Sequence, residues 1–503
     1  MTALLDRLTS RVTMYRLITI VLAAISLSAI AFSFVGWLSF SPITLISCAA
    51  VALASTLISS RLIALLFRTT PHLESSVITA LILFLIFYPS VASADLAALA
   101  LAGVAATASK YLLAWRGRHL LNPAAAGGAA VALLHFNSAV WWVASSALLP
   151  VTLFGAVIVL QRTRRLSMAA VFVAVSAGVL VLRFAASGQS FGAAIATAFV
   201  SYPIIFFAGF MFSEPLTMAP RRWQQFTIAV GVGALFGVVG AVPSFGPLSL
   251  SFEIALLVGN VAAFLFGQRR GLRLKLRHKI QLTPTTWQFG FHPQRAVRFH
   301  AGQYLELDLP HRGADRRGSR RTFSISSAPT DSDLVTITLR MPQPASTFKQ
   351  TLLALETGAY RSATLVNGDF LLPKDPAVGV LLIAGGIGVT PFLSQLTEDR
   401  ARGISRAATL VFVARTLDDL PIIADLVQHE VLIIAPAHPE SLPSRWRYLG
   451  AERISAELLS REIPDVARRV AFVSGAPAMV HAAGAAARKA GARRIVSDYF
   501  SGY

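Results

Sequence analysis

A single cysteine, Cys48, stands in 503 residues. That leaves no disulfide framework, no four-cysteine zinc site, no cysteine-held iron–sulfur cluster and no CxxCH haem attachment. Charge is also scarce: Asp, Glu, Lys and Arg make up 14% of the chain against 54% hydrophobic residues, which excludes a disordered or fully soluble chain. Acid is the scarcer sign, with 25 Asp+Glu against 45 Lys+Arg. A surplus of +20 raises the question of nucleic acid. No basic stripe interleaved with aromatics is present, so no nucleic-acid partner is expected, and no metal site is expected either.

What charge there is divides the chain into two halves of different kinds. Residues 1–267 hold 14 basic and 5 acidic residues, whereas residues 268–503 hold 31 and 20. The first half is a series of apolar runs at about 17–38, 42–66, 76–93, 95–114, 123–136, 140–160, 166–185, 191–212, 225–242 and 249–267. Most approach the ~20 residues a helix needs to cross a bilayer, which predicts an all-α polytopic membrane domain of about ten spans. The fifth run, opening at Asn122-Pro123 and holding Gly127-Gly128, is short enough for a half-helix or a re-entrant segment.

The basic groups Arg7/Arg11/Arg16, Arg61/Arg68, Lys110/Arg116/Arg118, Arg162/Arg164/Arg165, Arg221/Arg222 and Arg269/Arg270 all fall on one side of that arrangement; only Arg183 falls opposite. The positive-inside rule makes that side cytoplasmic. Both termini and everything after residue 267 are therefore expected in the cytoplasm of a bacterial-type inner (plasma) membrane protein, with lipid as a partner. The apolar run near the amino terminus is too long for a cleaved signal peptide and is followed by more spans.

After residue 267 the pattern changes. Leu305-Glu306-Leu307-Asp308-Leu309 and Leu334-Val335-Thr336-Ile337-Thr338-Leu339 alternate with period 2, as half-buried antiparallel strands do, and predict a small β-barrel within residues 268–375. Residues 376–503 instead carry continuous apolar runs at 378–383, 409–413 and 470–473 between helical stretches, the signature of an α/β domain with a parallel sheet. The first of these runs enters Gly385-Gly386-Ile387-Gly388-Val389-Thr390-Pro391, where glycines admit a pyrophosphate and Thr390, as N-cap before Pro391, opens a helix. The third glycine of the dinucleotide fingerprint is absent, and Arg415 follows the second strand where a ribose-binding acid is usual.

Arg321-Thr322-Phe323-Ser324, the glycine turn, Ser474-Gly475-Ala476-Pro477-Ala478-Met479 and the ending Asp498-Tyr499-Phe500-Ser501-Gly502-Tyr503, in this order and spacing, resemble the ferredoxin-NADP reductase superfamily. The resemblance covers about 230 residues and implies an antiparallel six-stranded-type FAD barrel (FAD-binding FR-type) followed by an NAD(P)-binding domain. It implies that Arg321 pairs with the FAD pyrophosphate, since a planar guanidinium suits a diphosphate. Phe323 then lies on the isoalloxazine, the Ser324 hydroxyl acts near its N5, and Thr322, between Arg321 and Phe323, belongs to the same cofactor-binding motif. Gln303 and Tyr304 fall in a His-Ala-Gly-Gln-Tyr version of the family's P-G-Q segment, and Ser346 and Thr347 fall where a hydroxyl meets phosphate. Gly385, Gly386, Gly388 and Thr390 face the dinucleotide; Ser474-Gly475 replaces the family's Cys-Gly beside the nicotinamide; Phe500 and Tyr503 are candidates for the aromatic that covers the flavin. Arg415 is compatible with NADH or NADPH.

Ferric reductases and NADPH oxidases, one family with such a reductase on membrane helices, need four buried haem histidines; the first 267 residues hold three, His72, His119 and His135. A different likeness lies in Leu121-Asn122-Pro123-Ala124-Ala125-Ala126-Gly127, in Phe210-Met211-Phe212-Ser213-Glu214-Pro215-Leu216-Thr217-Met218-Ala219-Pro220 and in Glu253-Ile254-Ala255-Leu256-Leu257-Val258-Gly259-Asn260. These resemble segments of the RnfD/NqrB family, whose members carry flavin within the bilayer in ion-coupled complexes. The threonine segment to which that family attaches FMN is missing between Phe136 and Arg162, leaving a non-covalent flavin, a quinone, or no membrane cofactor. Glu214 and Glu253 are functional candidates, because carboxylates near apolar spans are costly; for Glu214 a cap on a turn beside Arg221 and Arg222 is the competing reading. Together these readings describe an NAD(P)H-dependent FAD oxidoreductase that passes electrons to a membrane acceptor. A reductase merely anchored to serve a soluble redox partner, and an ion transporter gated by nucleotide, are the rivals.

Overall fold

The computed structural model describes residues 14–67, 73–115, 118–242, 249–266, 271–311, 313, 319–331, 333–366 and 368–500. The chain forms two compact units, Met1–Gln268 and Arg269–Tyr503. Tyr503, His72 and the basic residues at 7, 11, 68, 116, 269 and 270 lie outside the described residues.

In the first unit, α1 (Met14–Phe34), α2 (Pro42–Leu66), α3 (Leu73–Ile86) and α4 (Ser93–Leu112) lead to a two-residue-per-strand hairpin, β1 (Ala114–Trp115) and β2 (Arg118–His119). After it come α5 (Pro123–Leu133), α6 (Leu149–Arg162), α7 (Leu166–Ala186), α8 (Phe191–Val200), α9 (Ile204–Phe206, continued by a π-helical turn Phe207–Phe212), α10 (Arg222–Gly237) and α11 (Phe252–Phe266). Leu65, Leu182 and Phe34 are each at least 70% exposed, a cost in water that disappears in hydrocarbon.

The expectation of about ten spans is corrected here. Among the described residues three helices, α1, α2 and α7, are long and apolar enough to cross a membrane, and a fourth span exists if α8 and the stretch Ile204–Phe212, bent by 50°, count as one. The physical reason is that apolar composition does not fix backbone conformation. The run at 140–160 is irregular until Leu149, with Trp141 in the left-handed region at φ 58°, and α5 stops at Leu133 before a left-handed His135. Arg183, the lone basic residue on the far side by sequence, donates to the carbonyls of Gly237 and Val239 and to the Tyr202 hydroxyl, so it caps the end of α10.

The second unit begins with six antiparallel strands, β3 (Gly271–Thr283), β4 (Thr286–Pro293), β5 (Tyr304–Asp308), β6 (Arg320–Ser324), β7 (Val335–Arg340) and β8 (Tyr360–Val366), in the order β6-β5-β8-β3-β4-β7. A bridge between Ile325 and Ile337 brings the two edges together and closes the barrel. Alternation fills its interior: Leu305 and Leu307 point inward beside Leu274, Leu276, Phe289, Phe291 and Ile337, while Glu306 and Asp308 remain half-exposed. The helix α12 (Thr347–Ala354) follows β7 and buries Phe348 and Leu352 in the same core.

The remainder is a six-stranded parallel sheet: β9 (Val380–Gly385), β10 (Ala408–Val413), β11 (Glu430–Ile434), β12 (Trp446–Gly450), β13 (Val470–Gly475) and β14 (Arg494–Tyr499). Its helices are α13 (Thr390–Ala401), α14 (Ala456–Glu462) and α15 (Pro477–Lys489). The order is β12-β11-β10-β9-β13-β14. Val380, Leu382 and Ala384 of β9 pack into one apolar cluster and Leu381 and Ile383 into another on the opposite face, which is why the strand reads as an unbroken apolar run.

Candidate functional site

The sheet order reverses between β9 and β13. In an open parallel sheet, the crevice at the carboxyl ends of two such strands is where ligands bind, because the following loops leave in opposite directions. Here β9 ends in Gly385 and β13 in Ser474-Gly475, with Ser474 opposite Ala384 in register. From Gly385 the chain makes a 3₁₀ turn, Gly386–Val389. Gly386 adopts φ +50° with open space where a Cβ would stand, and so presents bare backbone. A Cβ on Gly388 would lie 2.5 Å from the Ser474 carbonyl oxygen and 2.7 Å from Gly475 Cα, so only glycine lets the turn rest on the end of β13.

Thr390 and Pro391 act differently from the sequence expectation. The 3₁₀ turn precedes the helix, Val389 is the N-cap, and the buried Thr390 hydroxyl donates back to the Ile387 carbonyl at 3.1 Å. Thr390 therefore shapes the turn instead of capping the helix. Ser474 is fully buried, and its hydroxyl has no hydrogen-bond partner among the described residues. Phe500 donates its backbone N–H to the Gly475 carbonyl at 2.9 Å, which holds this aromatic at the same end of β13. Arg415 is exposed just beyond β10, its N–H bonded to the buried Asp419 carboxylate at 3.0 Å.

On the barrel, Arg321 and Phe323 share a face of β6 because they are two residues apart. Both meet Phe348: the Arg321 guanidinium carbon lies 5.1 Å from the ring centroid, and the Phe323 ring 6.0 Å away. Phe348 sits in the first turn of α12, so the guanidinium is held over a helix N-terminus, where unpaired N–H groups and the helix dipole favour anions. The two hydroxyls expected to reach phosphate are engaged locally. Ser346 accepts from the Lys349 N–H as N-cap, and His311, donating through Nδ1 to the Leu309 carbonyl, presents Nε2 to the Thr347 hydroxyl at 3.1 Å. Thr322 is exposed on the opposite face from Arg321, and Ser324 is buried where β6 pairs with Tyr304 of β5. Gln303 is buried and accepts the His300 N–H at 2.9 Å, closing the loop that delivers Tyr304.

These donors suit a dinucleotide flavin. Arg321 and the start of α12 offer positive charge and N–H groups to a diphosphate, and Phe323 and Tyr304 offer half-buried aromatic surface. The switch-point turn with the unpartnered Ser474 hydroxyl suits a second, nicotinamide-bearing dinucleotide.

Sequence reasoning missed Asp498. It stands opposite Ser474 in the β13–β14 register, and burial of its carboxyl pushes it up to about 6 from the usual 3.8. Because the folded state then binds the proton more tightly than the unfolded chain, this group's contribution to stability is fully present below about pH 4 and is lost as pH rises through 6. Asp498→Asn is expected to raise unfolding stability at pH 8 by up to about 3 kcal/mol and to change it little at pH 4, measured by denaturant titration at both values.

In the membrane-type unit the three segments singled out by sequence meet. Glu214 accepts from the Asn122 amide at 2.9 Å and lies 2.9 Å from His119 Nε2, while the Asn122 N–H donates to the Asn260 side chain at 2.8 Å. Glu253 accepts the indole N–H of Trp141 at 2.6 Å. His119 and His135 sit beyond opposite ends of α5, roughly 16 Å of helix apart, so they do not form a facing axial pair.

A closed barrel carrying an arginine over a helix N-terminus, followed by a parallel sheet with a glycine turn at its switch point, is an arrangement suited to one flavin and one nicotinamide dinucleotide. Similar sequences agree. The chain is 31% identical over 121 residues to the terephthalate 1,2-dioxygenase reductase component 2 of Comamonas sp., covering 24% of this chain and 34% of that protein. It is 25% identical over 206 residues to the NADH oxidoreductase HCR of Escherichia coli (strain K12), covering 40% and 60%. The match thus spans between a third and three fifths of these relatives' length. A ferredoxin NADP+ reductase from Neisseria gonorrhoeae, solved with bound FAD and NADP, superimposes with a TM-score of 0.37 at 20% identity over 46% of this chain and 98% of that one. No protein-family model matches the chain. The relatives support the ferredoxin-NADP reductase-type superfamily of FAD- and NAD(P)H-dependent oxidoreductases.

Proposed function

We propose that the chain is a membrane-bound oxidoreductase that takes electrons from cytoplasmic NADH or NADPH and delivers them through FAD to an acceptor held by its apolar unit, a quinone or a non-covalent flavin. The observation that carries this reading is that one chain joins the barrel-and-sheet architecture to helices apolar enough to cross a bilayer. FAD, when bound, accepts a hydride from the nicotinamide and releases electrons singly. Arg321 and the start of α12 hold its diphosphate, Phe323 and Tyr304 flank its ring, and Ser324 lies beside the reacting edge. The turn at Gly386 and Gly388 takes the nicotinamide's pyrophosphate; Ser474 orients the nicotinamide, and Phe500 covers the flavin until the nicotinamide enters. The likeness to RnfD/NqrB segments supports an acceptor within the membrane unit and coupling to ion movement, and the Asn122–Glu214–Asn260 cluster is where the three segments converge.

A second reading, an anchored reductase for a soluble protein, is favoured by relatives that are reductase components of oxygenases. The full chain in lipid vesicles separates the two. With NADH or NADPH as donor, rapid turnover with a ubiquinone analogue and slow turnover with ferredoxin is expected; the reverse order sinks the membrane-acceptor reading.

A further inference from the structure

Helix α13 begins at the nucleotide turn and runs back to the barrel, and it carries three polar side chains that a helix in an apolar interface would ordinarily lack. Ser394, Gln395 and Glu398 are each more than nine-tenths buried. The i, i+1, i+4 spacing puts them on one side of the helix. Two of them bond to the barrel segment that follows β6, and the third to the backbone of the connection between β8 and β9, whose Phe370 ring packs in the sheet domain's core. The Ser394 hydroxyl donates to the Ser327 carbonyl at 2.6 Å, the Gln395 amide donates to the Phe370 carbonyl at 2.6 Å, and the Glu398 carboxylate accepts the Thr330 N–H at 2.9 Å.

Ser327 and Thr330 continue the chain from Arg321, Phe323 and Ser324, so the segment that carries the flavin donors is the one α13 grips. At its other end α13 is fixed to the nucleotide turn, through Thr390 bonded to Ile387 and Gly388 resting on Ser474. Only eight residues, about 12 Å of helix, separate Thr390 from Glu398. Burying three polar groups is costly unless each is paired, and van der Waals packing alone would hold the same helix without them. Directional bonds fix what apolar contact leaves free to slide: the register of one domain against the other.

Resting on the reading of the chain as an FAD–nicotinamide reductase, we propose that Ser394, Gln395 and Glu398 are positioning residues that set the distance and angle between the nicotinamide and the flavin. They touch neither reactant. Their effect falls on hydride transfer, which loses about 100-fold in rate for a misplacement of roughly 1 Å, and not on the affinity for either dinucleotide.

The test uses the full chain carrying Gln395→Leu, Glu398→Ala or Glu398→Gln, mixed anaerobically with NADH and with NADPH while the flavin absorbance is followed. Gln395→Leu and Glu398→Ala are expected to keep FAD and the nucleotide concentration for half-maximal rate, to lower the limiting rate of flavin bleaching about 10- to 100-fold, and to weaken the nicotinamide–flavin charge-transfer absorbance. Glu398→Gln retains an acceptor for the Thr330 N–H and is expected to restore most of the rate. An unchanged limiting rate in the first two variants overturns the proposal, as does loss of FAD from them, since the side chains then support the flavin site itself. A wild-type chain that binds no FAD or oxidises neither nucleotide refutes the reductase reading first, so the two failures are distinct.

Discussion

Arg321→Ala is expected to leave the protein without flavin. The guanidinium is buried on the Phe348 ring at the N-terminus of α12, where His311 also reaches the turn through the Thr347 hydroxyl but offers no fork of donors. A hydrogen bond to a charged group contributes about 1.5–3 kcal/mol, so removing the bidentate partner of a diphosphate is expected to weaken FAD binding by at least 10- to 100-fold. Loss of the cation–π contact with Phe348 adds to this by loosening the start of α12. Nucleotide oxidation should fall with flavin occupancy and return in part at high added FAD. Arg321→Lys keeps the charge but not the fork, and should fall between the two. Full occupancy in Arg321→Ala, measured by flavin absorbance after gel filtration, would falsify this placement.

Gly388→Ala is expected to have the second large effect, on the other dinucleotide. Its new Cβ would meet the Ser474 carbonyl at 2.5 Å and Gly475 Cα at 2.7 Å, both backbone atoms of a central strand, so no side-chain rotation relieves the clash. The turn must lift from β13, and overpacking of this kind costs about 1–3 kcal/mol. On the proposed reading the turn takes the nicotinamide's pyrophosphate and the barrel holds FAD, so oxidation of NADH and NADPH should drop at least about 100-fold in kcat/KM while FAD is retained. Gly386→Ala is the control. Its Cβ enters open space, so only the left-handed φ of +50° is penalised, at about 1–2 kcal/mol, and activity should fall less. Equal loss in both variants would contradict the close approach of the turn to β13.

Much of the fold around the candidate site was legible in the chain because its parts are local. The apolar runs at 378–383, 409–413 and 470–473 became β9, β10 and β13, since a strand buried on both faces has no choice of register to advertise. Arg321 was singled out through the likeness of Arg321-Thr322-Phe323-Ser324 to a family motif, and it stands on β6. The membrane unit was less so: against ten apolar runs, three helices among the described residues, or four if the bent pair counts as one, are long and apolar enough to span, because hydropathy records where a segment is comfortable and not whether its backbone stays helical. The left-handed Trp141 packs against Phe206, Phe207 and Phe252, and the bend before Ile204 falls at Pro203, which cannot continue the preceding helix. The side chains missed altogether depend on distant partners. Gln395 bonds to Phe370 and Ser394 to Ser327, 25 and 67 residues away, and Asp498 acquires its raised affinity for a proton only when β14 lies beside β13. No periodicity in the sequence carries such pairings.

The most direct measurement is the flavin content of the full-length protein extracted from membranes and purified. One FAD per chain, bleached on adding NADH or NADPH under nitrogen, is the predicted result. A chain that comes out without flavin, and takes up none when incubated with excess FAD, contradicts the account at its centre.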